Sequence, residues 1–200
     1  MTEWIGDPTG GRDRGLRGLG LAWATVIARP VEFFEEAVSP GDQAPGLVFA
    51  LIVVFVEELA RFALVPDAYP VVADAPVLSG VLWLAVATLL VAPVALHLLA
   101  ALQTILLLPL APNRGGVSET VQVFAYATAP CLFAGLPIAP VRIGCALYGS
   151  LLLWVGTAVV HDVTYRRSAI LATLPAALCF GYGFRGFDAV ATQLTQWYII

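Results

Sequence analysis

Three charged side chains stand where an apolar chain should not carry them. Residues 46–65 read GLVFALIVVFVEELARFALV, and Glu57, Glu58 and Arg61 fall in the second half of that run. A charge at the centre of a membrane helix costs about 2.5–3.5 kcal/mol, and each Leu, Ile, Phe or Val returns about 0.3–0.6 kcal/mol. Thirteen such residues in this run nearly cancel three charges, so the polar face must turn toward protein. Glu57 and Arg61 are i,i+4 and Glu58 and Arg61 are i,i+3, so both carboxylates reach one guanidinium. One acid then remains to be protonated or paired elsewhere, and His97 is the candidate partner. Two readings follow: an ion pair that holds helices together, or a site for a proton, a metal or a substrate.

The other reactive residue types give less. Cys131, Cys145 and Cys179 each lie inside an apolar run, at least fourteen residues apart, and read as small buried hydrophobes. No close Cys/His pairs suggest zinc. Ser150 and His161 share one helix about 16 Å apart along its axis, so no Ser–His–Asp set forms. His161 is expected to cap a helix C-terminus as a cation. Gly115-Gly116 is too short to cradle phosphate. A glutamate pair with a following Arg and histidines on other helices is similar to the pattern of CAAX-processing intramembrane proteases, EExxxR with FxxxH. Here the run is EExxR, position 93 before His97 is Pro and position 157 before His161 is Thr. A Glu/His metalloprotease and a small transporter or channel using Glu57 and Glu58 stand as the alternatives to a non-enzymatic protein.

The elements that must position these residues are membrane helices. Of 200 residues, 60% are hydrophobic and 12% charged, and mean hydropathy is +0.86. Soluble domains carry about twice that share of charge. All ten basic residues are Arg and the net charge is −4, with no basic stripe to meet a nucleic acid. The expected class is all-α: a polytopic bundle of five transmembrane helices, near 46–65, 77–110, 120–138, 143–160 and 168–184. Residues 1–20 read as a flexible cytosolic tail. Residues 21–45 read as a short amphipathic segment at the membrane surface, interrupted at Pro30, with a turn after it. Ser118 is the expected N-cap of the third span, residues 139–142 a tight connection, and 187–200 an external or interfacial tail with Trp197 and Tyr198 as anchors. The run Val77–Ala111 has no charged residue except His97 and no turn chemistry near Pro93, so one long kinked helix is expected there rather than a hairpin.

Arginine placement orients the bundle. With five spans and the N-terminus inside, Arg12, Arg14, Arg17, Arg29, Arg114, Arg166 and Arg167 are cytosolic, against Arg142 and Arg185 outside. A hairpin over 77–111 would move Arg114, Arg166 and Arg167 outside and weaken that asymmetry. The expectation is an integral cell-membrane protein with a cytosolic N-terminus and an external C-terminus.

The stretch GGVSETVQVFAYATAP, residues 115–130, resembles the signature of the Yip (Ypt-interacting protein) domain family, prokaryotic branch. Gly115, Gly116, Tyr126 and Pro130 carry the resemblance, with Arg29-Pro30, Phe33-Phe34, Gly156 and His161 beside them. The resemblance implies a non-enzymatic five-span membrane protein, without cofactor or metal, that acts as a scaffold or adaptor in membrane organisation or trafficking. Its implied partners are membrane lipids, other membrane proteins or further copies of itself. Eukaryotic relatives bind prenylated Rab-type GTPases. With only residues 1–45 ahead of the first span, that partner is not expected here.

Overall fold

The computed structural model describes residues 3–7 and 11–199; residues 1, 2, 8–10 and 200, parts of the two expected tails, lie outside the described residues. The chain is a helical bundle preceded by two short paired strands. β1 (Glu3–Asp7) pairs antiparallel with β2 (Gly11–Arg14), where a flexible tail was expected. Then come α1 (Gly15–Ala28), α2 (Pro30–Ala37), α3 (Ala44–Leu64), α4 (Pro76–Val86), α5 (Ala92–Leu107), α6 (Val117–Ala127), α7 (Ala139–Val160), α8 (Tyr165–Ala176) and α9 (Gly186–Gln196).

Proline starts these helices more often than it breaks them. A first-turn proline has no N–H to leave unpaired and a φ already suited to the helix. Pro30, Pro45, Pro76, Pro93 and Pro140 all sit in first turns. The expected connection at 139–142 is therefore the first turn of α7. Gly116, not Ser118, is the N-cap of α6, with Glu119 in its first turn.

The second apolar run is continuous, as expected. α4 passes into α5 through a π-helical stretch, Ala87–Val91, in which the Ala92 N–H reaches back to the Ala87 carbonyl. Pro93 has no N–H for the α ladder, and the wider turn absorbs the step. Pro76–Leu107 and Ala139–Val160 are long and apolar enough to cross a membrane. Tyr165–Gly183 and Gly186–Gln196 make a third such element, bent by 67°. α3 has the length, at 21 residues, but carries the three charges.

Two expectations change in detail. The third apolar run is not one straight helix: α6 ends at Ala127, and Ala129–Phe133 is a 3-10 turn around Pro130. Every residue from Thr120 to Ala127 is buried, which makes α6 the axis of the bundle. The segment read as lying at the membrane surface packs one face into the core. Ala22, Val26, Phe33 and Phe34 are all buried, because α1 and α2 pack on α6 and α7. Trp23 Nε1 donates to the Ala129 carbonyl at 2.9 Å, and Tyr148 Oη donates to the Ile27 carbonyl at 2.5 Å. The opposite extreme is the α4–α5 helix, only 11% of whose most apolar window is buried within the protein, leaving its leucines on the outside of the bundle.

Glycine sets the closest approaches. A Cβ on Gly135 would lie 2.0 Å from the Glu57 carbonyl oxygen, so the turn after Phe133 touches the α3 backbone. A Cβ on Gly156 would meet Phe34 and Val123 at 2.8 Å, where α7 crosses α2 and α6. Gly144, on the same α7, has open space around it. Gly135→Ala should therefore lower stability by about 1–3 kcal/mol through overpacking. Gly144→Ala should be neutral or gain up to about 1 kcal/mol of helix propensity. Thermal unfolding of both variants in one detergent checks the contrast.

Candidate functional site

α3 presents Glu57 and Glu58 on its inner face, and both are buried. Arg61, one turn further on, donates from Nε to Glu58 Oε2 at 2.8 Å and from Nη1 to the Ala68 carbonyl at 2.6 Å. The residue that completes the cluster is Arg185. It donates from Nη1 to Glu58 Oε1 at 3.0 Å and from Nη2 to Glu57 Oε1. Arg142 Nη2 caps the Arg185 carbonyl at 3.4 Å. Two carboxylates thus meet two guanidiniums, and the acid that Arg61 does not reach is neutralised by Arg185 rather than by a histidine.

Local backbone makes this reach possible. α8 runs into a π-helical stretch, Ala177–Gly183, and the chain then breaks before α9 at Arg185, which is left-handed at φ 57°. That conformation costs a non-glycine residue about 1–2 kcal/mol. Charge-assisted hydrogen bonds to two buried carboxylates offset it. Nothing in the sequence around Arg185 signals this role, since it lies 127 and 128 residues from its partners.

His97 is not part of the cluster. It is exposed on α5, with Nδ1 2.7 Å from the Pro93 carbonyl of its own helix. His161 is the C-cap residue of α7 but is fully buried, with Nε2 3.4 Å from Thr120 Oγ1. Thr120 in turn donates to the Gly116 carbonyl at 3.0 Å and lies 3.3 Å from Thr104 Oγ1. Burial pushes the His161 pKa down to about 4, against the upward pull of Glu119. It is a neutral tie between α6 and α7, not the cationic cap expected. Among the described residues, no group of three His, Cys, Asp or Glu side chains is placed to hold a metal.

The remaining motif residues serve packing. Tyr126 is fully buried, edge-on to Phe33 at 4.8 Å and to Phe49 at 5.2 Å. Pro130 is buried in the 3-10 turn, and Gly115 and Gly116 bring the α6 N-terminus beside Val160 and Glu119. Sequence reasoning missed Gln122, which clamps the turn between α2 and α3. Its Nε2 donates to the Ser39 carbonyl at 2.7 Å and its Oε1 accepts from the Ser39 N–H at 3.1 Å. A polar residue in the middle of an apolar motif was the available signal.

Fold and cluster together define a class: a membrane bundle whose internal charges are matched by its own side chains. Comparison with known proteins then gives the family. The Yip1 domain model matches residues 24–184, and the chain belongs to that family. No curated protein and no solved structure matches it.

Two predictions follow from this geometry. Arg185→Met should cost about 3–5 kcal/mol by stranding a buried carboxylate, whereas His97→Ala should leave unfolding unchanged; denaturation in detergent reads both. The folded-state pKa of His161 lies below the ordinary value near 6.5, so its contribution to stability is present above pH 6.5 and is lost as pH falls toward 4. His161→Gln should flatten the fall of Tm between pH 6.5 and 4. An unchanged pH slope would contradict the buried neutral assignment.

Proposed function

We propose that this chain is a non-enzymatic scaffold of the cell membrane, working through contacts with lipids and with other membrane proteins. The observation that carries this reading is the pairing of the buried charges with one another inside the protein. Glu57, Glu58, Arg61 and Arg185 form a closed, charge-balanced set. His161 ties α6 to α7, and the family motif packs the core. A protease of the CAAX type needs its acids and histidines around one metal, and His97 and His161 are both held away from the glutamates by other partners.

The proposed topology has five crossings: α3, α4–α5, α6 with its 3-10 turn, α7 and α8 with its π stretch. The loop carrying Arg114 and the loop carrying Arg166 and Arg167 face the cytosol together with the N-terminus, and the C-terminus is external. Arginine asymmetry supports this orientation.

Reciprocal affinity capture from native membranes tests the scaffold reading. The expected result is one membrane protein recovered in stoichiometric amount from either tag. Peptide hydrolysis or ion flux by the purified protein, abolished by Glu57→Gln, would replace it. An impermeant thiol reagent should label Asn113→Cys from the cytosolic side only and Asp67→Cys from the external side only.

A further inference from the structure

A cavity of about 180 Å³ lies between α3, α5 and the π stretch after α8. Its walls are small or apolar, among them Ala50, Ala92, Ala95, Leu96 and Leu99. Glu57 and Glu58 line its polar end. It shares Glu58, Ala87 and Val91 with a second cavity of about 160 Å³, bordered by Arg61, Tyr69 and Trp83. That one shares Phe62, Ala68 and Tyr69 with a third, about 370 Å³, under the loop after α3. Sharing these residues, the three cavities adjoin along α3 and mark out a track from the loop toward the middle of the bundle.

We propose that this track is a site for a single bilayer lipid, with one acyl chain seated in the inner cavity. The proposal goes beyond the scaffold reading and does not depend on it. Three observations commit the site to this occupant. First, one wall is the α4–α5 helix, whose outer face is left to lipid, so a chain enters sideways without crossing water. Second, the length suits the terminal part of a chain. From Glu58 to Ala50, the stretch of α3 that lines the inner cavity, is eight residues, about 12 Å of helix, within the ~15 Å that one leaflet's chain covers of a ~30 Å core. Third, polarity runs in the order that a lipid requires. Tyr69 and Trp83 stand at the loop end, with Trp83 Nε1 donating to the Pro70 carbonyl at 2.9 Å, the arrangement of interfacial aromatics. The charged cluster follows, and the alanine and leucine walls come last.

The π stretches Ala87–Val91 and Ala177–Gly183 both border the inner cavity, and their wider turns help keep the space open.

The test uses full-length protein in detergent-free phosphatidylcholine vesicles containing phosphatidylcholine with a diazirine at the acyl-chain end. After irradiation, mass spectrometry should find residues 50–54 and 95–99 labelled above the exposed positions Leu151 and Ile170. Ala95→Phe, which fills the cavity, should abolish that labelling while leaving Leu151 and Ile170 labelled. If Ala95→Phe does not fold, Ala95→Leu should reduce the cavity label in the same selective way. Cavity labelling no higher than at Leu151 and Ile170, or labelling unchanged by both variants, would overturn the proposal.

Discussion

The pairing of Arg185 with Glu57 and Glu58 is the contact on which the architecture turns. A carboxylate in an apolar bundle must be matched within the protein, because no solvent is there to do it. Arg61 matches one acid from the same helix. The second match comes from the far end of the chain. It ties α3 to the α8–α9 junction, while Arg142 ties α7 to the same point through the Arg185 carbonyl. Several otherwise odd features serve this meeting. Arg185 adopts a left-handed conformation, the helix before it widens into a π stretch, and Gly135 lets the turn after Pro130 lie against the Glu57 carbonyl. Each costs a little locally and is retained because a buried pair broken on one side costs more.

Several uncharged polar groups are matched in the same way. Gln122 bonds both backbone atoms of Ser39, Trp23 reaches Ala129, Tyr148 reaches Ile27, and Ser168 Oγ donates to the Trp154 carbonyl at 2.6 Å. Each takes a backbone carbonyl of another element as its partner. Small residues supply the complementary part. Gly46, Gly135 and Gly156 let backbones approach at points where a methyl group would collide or press closely. A membrane bundle draws little on the hydrophobic effect between its own helices, so close packing and such internal bonds carry the specificity. The buried Tyr126, between Phe33 and Phe49, joins the two devices at the centre.

Much of this was legible in the residues. The helical class, a single continuous helix through Pro93 (Pro76–Leu107 rather than the full run to Ala111) and the family likeness all follow from local pattern, because apolar runs and turn residues act over short distances. The polar face of the first apolar run was also legible, since Glu57, Glu58 and Arg61 are neighbours on one helix. Its missing partner was not. Choosing between His97 and Arg185 needs the direction that α5 faces and the bend after Gly183, and both are set by tertiary packing. Pro30 does interrupt the helix, with the break at Arg29, but Pro140 misled: it looks like part of a connection in one dimension, whereas it lies in the first turn of α7 after the extended Ile138. The burial of α1 and α2 was hidden because an amphipathic stripe looks alike whether it faces lipid headgroups or a groove in the protein's own bundle.

Arg185 closes the Glu57–Glu58–Arg61 cluster by bonding both acids. Solid-state NMR in lipid bilayers, with guanidinium nitrogens and side-chain carboxyl carbons labelled, measures this directly. The account predicts dipolar contacts from Arg185 to both glutamates that persist when His97 is replaced by Ala. Arg185 signals free of any carboxyl contact, with Glu57 coupled to His97 instead, would contradict it.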